Sequence, residues 1–545
     1  MKKLLFLLQI IIISSACTTR KADFNNALKT INSKDLENYV SELGSDRFMG
    51  RKPFTEGETI TINYLAEQLK QIGFEPAFNG SYYQEVPMAE INSSIDKVII
   101  TKSSKTLFIF KTPDEAAIVS PRPDTVITVS DQEMVFAGFG IVAPEYGWND
   151  YADLDVKNKT VVVMINDPGL YTGDSSLFKG REMAYYGRWT YKYEEAARQG
   201  AAGIIIIHET EGAGYPYTIP RKSSISQRLY LQGNDNKEPL CLFTGWFSAE
   251  AADKLFNKCG LDVARLRQES CKKGFKGFPM NTHISLNIRN NIRYDKSMNV
   301  AGILKGTKRP DECIVYTAHW DHFGIGEMED GDSIYNGAVD NGTAMAWELA
   351  IGKAFSSLKH KPGRSIILLF PTAEEQGLIG STYYTEHPLI EMEKTVACIN
   401  NDGLLPMGQM KDVTITGYGQ SDLDSLARIA AAEQDRYVTG DPESHTGMYF
   451  RSDHFSFVLK GVPSLYAKGS TESRNYGKDW ATKYRKEYIE NKYHRPSDNF
   501  EKDKWNLDGI AEDAALAFRI GYDLAISDYF PKWKPVSEFK TLRNN

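Results

Sequence analysis

The sequence predicts an α/β protein whose mixed, mainly parallel sheet is flanked by helices. In the C-terminal half, short apolar runs such as CIVYT, SIILLF and VACIN are bounded by polar or glycine-containing segments. Helix-like segments such as TAMAWELAIGKAF and LIGSTYYTEH alternate with these runs. Apolar runs of this length indicate buried strands, and their alternation with helices is typical of a parallel sheet with helical crossovers.

The first long helix is predicted after a turn-rich segment near residue 50. Thr55 and Glu58 have the spacing of a capping box, and Gly73 closes the helix. Apolar residues lie on related faces of this helix, namely Ile60, Leu65, Leu69 and Ile72. We interpret it as a core helix.

Between residues 116 and 290 the pattern changes to short β-like runs separated by glycine, proline and Asn/Asp turns. A helix followed by a strand is expected around YKYEEAARQGAAGIIIIHE. We therefore expect an inserted β-rich α/β domain at 116–290, which interrupts a main domain made of 17–115 and 291–545. A length of 545 residues also predicts more than one domain.

The charge of the chain is modest for its length. It has 64 basic and 71 acidic residues, which give a net charge of −7. No basic stripe, acidic tail or low-complexity run stands out, so we expect a soluble globular protein with no nucleic-acid partner.

The first residues, MKKLLFLLQIIIISSAC, have the pattern of a secretory signal that is too short to span a membrane. Cys17 follows Ser-Ser-Ala, which resembles a bacterial lipoprotein cleavage site. Residues 1–16 would then be removed and Cys17 lipidated, which anchors the chain to a membrane of the cell envelope. Ser14 stands where leucine is commonest at such sites, so ordinary secretion is the alternative.

Five further cysteines follow, namely Cys241, Cys259, Cys271, Cys313 and Cys398. Cys259 and Cys271 are close enough in sequence to pair in an oxidising compartment. Cys313 and Cys398 lie in strand-like runs and are expected to be small buried hydrophobes. No CxxC motif is present, so no metal role is predicted for them.

An ordered set of acidic residues and histidines occupies the C-terminal half. Its members are His319 and Asp321 in TAHWDH, Asp340 in GAVDNG, Glu374 and Glu375 in PTAEEQG, Asp402 in NNDG, and His494 in YHRPSD. Most of them follow an apolar run. Because ligands bind beyond the carboxyl ends of parallel strands, we expect these side chains to converge on one edge of the sheet.

This set has the chemistry of a metal centre. Zn²⁺ takes imidazole nitrogen and carboxylate oxygen, and two zinc ions held close together need about five such groups, one of them a bridging carboxylate. The sequence supplies that number. A water activated by two such ions still needs a base to take its proton.

The order of the motifs resembles the M28 family of zinc peptidases: HxD, then Asp in a small-residue loop, then Glu-Glu, then Asp, then His. The resemblance covers residues 24–115 and 292–530. It implies the zinc-dependent exopeptidase fold. The segment 116–290 in turn looks like the protease-associated domain that many M28 members carry, whose role as a lid or as a spacer stays open.

The resemblance also implies site roles. It implies two zinc ions bridged by one carboxylate, with ligands Asp340 as the bridge, His319 and Asp402 on one ion, and Glu375 and His494 on the other. Glu374 would be the catalytic base, and Asp321 would orient a ligand imidazole. Tyr493 matches a tyrosine that polarises the scissile carbonyl in some members, while a packed aromatic ring is the alternative.

Three neighbouring residues remain to be interpreted. His322 is expected to contact a ligand or lie at the surface, because the ligand count is already met. Asp453 and His454, in FRSDHFSF, could help to hold a substrate amine, but a helix cap formed by Ser452 and Asp453 is the simpler interpretation.

The function implied by the resemblance is an aminopeptidase that acts on peptide substrates. Three alternatives use the same fold: a glutaminyl cyclase with one metal ion, a carboxypeptidase, and a binding module without metal. The complete ligand set argues against the first and the third.

Overall fold

A computed structural model describes residues 20–232 and 239–543 of the chain. The described residues form two compact units, which are 20–86, 296–441 and 451–543 in the first unit and 87–232, 239–295 and 442–450 in the second. The predicted signal segment 1–16 and Cys17 lie outside the described residues. Among the residues that are described, no helix is both long enough and apolar enough to cross a membrane.

The strands, in chain order, are Glu75–Pro76 (β1), Tyr83–Lys102 (β2), Lys105–Phe110 (β3), Ala116–Val119 (β4), Val126–Phe136 (β5), Val142–Ala143 (β6), Trp148–Asn149 (β7), Thr160–Met164 (β8), Gly203–Ile207 (β9), Arg228–Leu231 (β10), Phe243–Phe247 (β11), Phe278–Leu304 (β12), Arg309–Thr317 (β13), Gly324–Glu329 (β14), Asp332–Tyr335 (β15), Arg364–Phe370 (β16), Thr395–Asn400 (β17), Asp412–Thr416 (β18), Tyr437–Gly440 (β19) and Ser464–Lys468 (β20).

The α-helices are 20–28 (α1), Ser33–Leu43 (α2), Glu56–Gln71 (α3), Pro168–Thr172 (α4), Trp189–Arg198 (α5), Thr210–Ala213 (α6), Thr218–Ile225 (α7), Ala249–Lys258 (α8), Val263–Ser270 (α9), Ala344–Ser357 (α10), Ile379–Glu386 (α11), Leu423–Ala432 (α12), His454–Leu459 (α13), Gly477–Asn491 (α14) and Asp508–Ile526 (α15).

The sheet of the first unit has the strand order β19–β18–β20–β17–β13–β16–β12. Strand β13 pairs in parallel with β16 and β17, β17 with β20, and β18 with β19. The pairs β12–β16 and β18–β20 are antiparallel. The predicted fold class, a mixed and mainly parallel sheet flanked by helices, is therefore confirmed.

The apolar runs form strands that are buried on both faces. In β16, Ile366 and Leu368 pack into one core, and Ile367 and Leu369 pack into a second core on the other side. Because both faces are covered, the run is continuously apolar instead of alternating with polar residues. The first core also contains most of α10, which is buried along nearly its whole length.

Three strands of this sheet end at the same level. Thr317, the last residue of β13, lies opposite Leu369 of β16 and Asn400 of β17. The loops that leave these strands consequently start side by side at one edge of the sheet.

The predicted first helix is α3, which begins directly after Thr55. Its cap differs from the prediction. The Thr55 hydroxyl donates to the carbonyl of Lys52 and makes no cap bond, while Glu58 accepts hydrogen bonds from the Phe54 amide and from the Ser297 hydroxyl. The capping box fails because Glu58 is buried and turned towards these partners.

The second unit has a sheet of its own strands, which run β5–β8–β9–β11–β4, with β12 pairing antiparallel to β5. Strands β8 and β9 are parallel and fully buried. Val162 and Ile205 pack into one core of this unit, and Val161 and Ile204 pack into another. The helix and strand predicted around YKYEEAARQGAAGIIIIHE are α5 and β9.

Cys259 and Cys271 are free thiols, so the disulfide expected as an option does not form. Cys259 follows α8 and Cys271 follows α9, which puts the length of α9 between them. Eight helical residues span about 12 Å, whereas paired cysteines need Cα atoms within about 7 Å. Cys313 and Cys398 are buried in the core beside β16, as predicted.

A core substitution in the first unit should be costly. Leu368 is fully buried, and truncation to alanine leaves a cavity in a packed core, so Leu368→Ala should lower the free energy of unfolding by about 2–5 kcal/mol. The control is Ile429→Ala on α12, where the side chain is 56% exposed and the change should stay within about 0.5 kcal/mol. Urea unfolding of the chelated full chain measures both, and equal effects would contradict the burial of Leu368 in a packed core.

Candidate metal centre

The strand ends bring the predicted residues to one place in the first unit. His319 follows β13 by two residues, Glu374 follows β16 by four, and Asp402 follows β17 by two. Asp340 lies in the turn before α10, and His494 lies in the loop after α14. The order of the strands in the sheet therefore explains why residues far apart in sequence converge.

Asp340 lies between the two histidines. Its Oδ1 is 3.4 Å from Nε2 of His319, and its Oδ2 is 3.2 Å from Nε2 of His494. Each imidazole nitrogen also faces a second carboxylate: His319 Nε2 is 3.5 Å from Asp402 Oδ1, and His494 Nε2 is 3.3 Å from Glu375 Oε2. The cluster thus consists of two His–carboxylate pairs that share one carboxylate.

Glu374 and Asp321 lie against the same cluster. Glu374 Oε2 is 3.8 Å from His319 Nε2. The Asp321 carboxylate accepts hydrogen bonds from the amides of Glu374 and Glu375, at 2.9 and 3.3 Å. His319 Nδ1 lies nearer to the Asp321 carbonyl oxygen, at 3.1 Å, than to its carboxylate, at 3.7 Å. The Asp321 side chain therefore holds the backbone of the glutamate pair, and its main chain faces the imidazole.

His322 is buried inside the cluster, so of its two expected positions the surface is wrong and contact with a predicted ligand is the one observed. Its Nδ1 lies 2.8 Å from Glu375 Oε1, and its ring centroid lies 5.9 Å from that of His494. The spacing H-x-D-H was the sequence signal that could have placed His322 in the cluster. His322 was not assigned as a ligand because the five predicted ligands already made up the expected number.

Tyr493 stacks on His494 with a centroid distance of 3.7 Å, and 39% of the residue is exposed. The ring therefore packs on a predicted ligand and is also partly open to solvent. This position is compatible with both interpretations of Tyr493.

The predicted cap of α13 is wrong. Asp453 occupies the cap position but has helical backbone angles, φ −55° and ψ −27°, and makes no side-chain cap bond. A capping side chain needs an extended backbone at this position. Instead, Asp453 and His454 are fully buried, and the Ser452 hydroxyl accepts a hydrogen bond from Asn400 at the end of β17.

Two cations border the carboxylates, and the sequence pattern gave no assignment for either. Arg51 is fully buried, and burial lowers its pKa to about 10 although carboxylates led by Asp340 oppose the shift. The Lys468 ammonium donates to the carbonyls of Asp402 and Gly403 and to the hydroxyl of Tyr466. The contacts of both cations are made with backbone atoms or uncharged groups. The spacing of motifs in a sequence does not reveal such contacts.

The acid–base properties of the cluster follow from burial and charge. Burial lowers the pKa of His319, but Glu374, Asp340 and Asp402 outweigh it and raise the pKa well above its ordinary value. Burial raises the pKa of Asp340, but His319 and His494 outweigh it and hold the pKa well below its usual range. For Glu374, burial prevails and raises the pKa well above its ordinary value.

The donor set fits divalent cations. Imidazole nitrogens and carboxylate oxygens form overlapping groups in which the atoms lie within 4.8 Å of one another, namely His319–Glu374–Glu375, His319–Asp340–Asp402 and His322–Asp340–Glu375. So many buried carboxylates are costly unless cations neutralise them. Nitrogen and oxygen donors without thiolate are the ligands of catalytic zinc and of harder cations.

Together, the fold and the cluster define an α/β protein with a buried imidazole–carboxylate cluster at the carboxyl ends of its parallel strands, whose donor atoms could hold metal ions. Residues 299–519 match the model of peptidase family M28. The matched range lies within the second part of the motif resemblance, residues 292–530.

Curated relatives carry both aminopeptidase and carboxypeptidase names. The chain is 33% identical over 198 residues to aminopeptidase NAALADL1 of Mus musculus, covering 35% of this chain and 25% of that protein. It is 30% identical over 439 residues to a glutamate carboxypeptidase 2 homolog of Caenorhabditis elegans, covering 70% of this chain and 52% of that protein. The chain thus spans from a quarter to about half the length of these relatives.

Among solved structures, the aminopeptidase from Aneurinibacillus sp. strain AM-1 superimposes with a TM-score of 0.51 at 17% identity, and the match covers 94% of this chain and 98% of that one. At this identity the likeness shows a shared fold.

The free energy of unfolding of the chelated protein should depend on pH because of Asp453. Burial raises the pKa of Asp453 to about 6 from its ordinary 3.8, against an opposing effect of His319. Because the folded-state pKa lies above the unfolded value, the stability from this group is complete below pH 3.8 and is lost as the pH rises through 6. The side chain of Asp453→Asn does not ionise, so the variant escapes this loss. Its free energy of unfolding relative to the native chain should rise by about 2 kcal/mol as the pH goes from about 4.5 to about 7.5.

Denaturant unfolding across this pH range in chelator measures the difference. Asp435→Asn, at a fully exposed side chain, is the control and should run parallel to the native chain. A parallel curve for Asp453→Asn as well would contradict the burial effect.

Proposed function

We propose that the protein is a zinc-dependent aminopeptidase that binds two zinc ions and hydrolyses the first peptide bond of peptides. The observation that carries the proposal is the position of Asp340, whose two oxygens face different histidines, each with a further carboxylate beside it. Asp340 is therefore placed so that it would contact both ions, each beside one histidine and one further carboxylate.

In this proposal the cluster holds both ions. The ligands would be His319 and Asp402 for one ion, Glu375 and His494 for the other, and Asp340 for both. Such ions supply Lewis acidity, which makes water more acidic and a peptide carbonyl more electrophilic.

The residues of the chain perform the proton transfers. Glu374 would take the proton from the attacking water at its carboxylate and hand it to the leaving amine nitrogen. Its backbone is fixed by the hydrogen bond to Asp321, so the carboxylate is held beside the ligands instead of in solvent. Tyr493 would donate its hydroxyl proton as a hydrogen bond to the developing oxyanion, and packing against His494 is the alternative role.

The choice of substrate terminus rests on the relatives. NAALADL1 of Mus musculus and the Aneurinibacillus protein are named aminopeptidases, whereas the C. elegans relative is named a carboxypeptidase homolog. We favour the amino terminus, and release of C-terminal residues is the second outcome to test. A glutaminyl cyclase or a metal-free binding module would have no use for the complete set of ligands and base.

We further propose that the second unit is a protease-associated domain inserted in the peptidase chain. Its run of strands β5–β8–β9–β11–β4, its two cores and the passage from α5 into the buried strand β9 support this.

A matched substrate panel tests the proposed activity. The mature chain should hydrolyse aminoacyl amides with a free amine in a zinc-dependent manner and should leave their N-acetylated forms intact. Chelation should abolish the hydrolysis, and added zinc should restore it. Release of C-terminal residues, cyclisation of N-terminal glutaminyl peptides, or no zinc-dependent turnover would replace the proposal with a carboxypeptidase, a cyclase or a binding module.

Glu374→Gln separates the base from the ligands. The amide keeps the shape of the side chain but cannot accept the proton, so kcat should fall by at least about 100-fold while zinc content measured by atomic emission stays at the native level. Asp340→Asn is the matched carboxylate change at a proposed ligand and should lose zinc. Turnover within about tenfold of native in Glu374→Gln would remove Glu374 from the role of base.

We also propose that Cys17 is lipidated and anchors the protein in the cell envelope. In a bacterial host, radioactive palmitate should label the native chain and should not label Cys17→Ser. Release of the unlabelled native chain into the medium or the soluble periplasm would favour the alternative of ordinary secretion.

A further inference from the structure

The turn that carries Asp340 is unusually constrained. Gly337 has φ +55°, and a Cβ at this position would lie 2.0 Å from the Asp340 carbonyl oxygen and 2.5 Å from Cδ2 of His322. The turn is therefore too tight for a side chain at Gly337, and its carbonyls point inwards. Buried carbonyls and amides need partners.

Arg51 provides the partners on the carbonyl side. Its guanidinium donates to carbonyls of the turn and of the segment that carries His319, namely those of Asn336, Gly337, Asp340 and Trp320, with a further bond to Leu43 at the end of α2. The fixed fork of a guanidinium can serve several carbonyls at once, and an ammonium cannot cover the same spread. Arg51 thus ties the turn of Asp340 to the segment after β13.

The Arg51 backbone is itself held in place. It follows Gly50, where φ is +67° and a Cβ would lie 2.5 Å from the carbonyl oxygen of Gly324. The amide of His322 donates to the Arg51 carbonyl at 3.2 Å. Gly50 is therefore needed for the close approach of the backbone, and Arg51 is needed for the hydrogen bonds.

Asp498 provides the partners on the amide side of the same turn. Its carboxylate accepts hydrogen bonds from the amides of Val339 and Asp340 at 3.1–3.2 Å. It also accepts from the Tyr488 hydroxyl at 3.2 Å, and its own carbonyl accepts from the Ala338 amide. Asp498 follows His494 by four residues, so it also links the turn to the segment of the second histidine.

We propose that Arg51 and Asp498 are positioning residues that fix the Asp340 carboxylate between the two histidines by binding opposite sides of its backbone turn. The inference rests on the proposed metal centre and adds residues that contact no metal ligand side chain. The Arg51 charge also attracts the carboxylates around it, which offsets part of their mutual repulsion.

Substitution of a positioning residue should weaken metal binding. Substitution of a residue with only a general structural role should lower stability and leave metal affinity unchanged. Arg51→Lys keeps the charge but loses the fork, and Asp498→Asn keeps the shape but loses one acceptor oxygen. Each variant should weaken zinc binding by about 10- to 100-fold, the usual effect of removing a group that orients ligands. Because there are two variants, the test can still be made if one of them fails to fold.

Matched controls come from buried groups that serve backbone atoms elsewhere. Arg364 is fully buried and donates to the carbonyls of Leu524 and Tyr529, so Arg364→Lys is the control for Arg51. Asp150 in the second unit is buried and accepts from the amides of Phe139 and Ile141, so Asp150→Asn is the control for Asp498. Both controls should lose stability and keep native zinc affinity.

Zinc dissociation constants are measured by competition with a chromophoric chelator, beside urea unfolding of the chelated proteins. The expected result is weakened zinc binding in Arg51→Lys and Asp498→Asn only. Native affinity in these two variants, with stability losses like those of the controls, would overturn the positioning role and leave the proposed function intact. Failure of the native chain to bind zinc would overturn the proposed function and this inference together.

Discussion

Negative charge buried at the carboxyl ends of β13, β16 and β17 is the constraint on which the rest of the first unit depends. Asp321, Asp340 and Glu374 are buried there, with Glu375 and Asp402 beside them. An unpaired carboxylate in such surroundings is costly. The fold meets this cost with three histidines, a buried arginine, a lysine and backbone amides, and divalent cations in the proposed centre would add the remaining positive charge.

The partners act mostly through the backbone. Asp321 binds the amides of the glutamate pair, Arg51 binds carbonyls of the Asp340 turn, and Lys468 binds the carbonyl of Asp402. Contacts of this kind fix the loops without consuming the carboxylate oxygens of the proposed ligands. The sheet makes them possible because its strands are packed on both faces, so the loops start from strand ends that are held by the cores.

Local sequence pattern was sufficient to predict the strand ends and the residues they carry. Apolar runs before His319, Glu374 and Asp402 placed those residues at strand ends, and parallel strands bring such ends together. The role of Arg51 could not be predicted in this way, because it depends on carbonyls about 270 to 290 residues away. Contact with a ligand was one of two options for His322, and only the fold, which places it against Glu375, decides between them. The cap of α13 was missed for a different reason, since composition does not reveal the backbone angles of Asp453.

Burial alone does not decide which acidic residues are ionised in this core. Asp340 and Glu348 lie eight residues apart, on the turn and on α10, and both are buried. Burial raises the pKa of both. At Asp340, His319 and His494 outweigh burial and bring the pKa well below its usual range. At Glu348 no histidine acts against burial, and the pKa stays well above its ordinary value. Two buried carboxyl groups on neighbouring segments therefore differ in their acid–base behaviour because only Asp340 lies between two histidines.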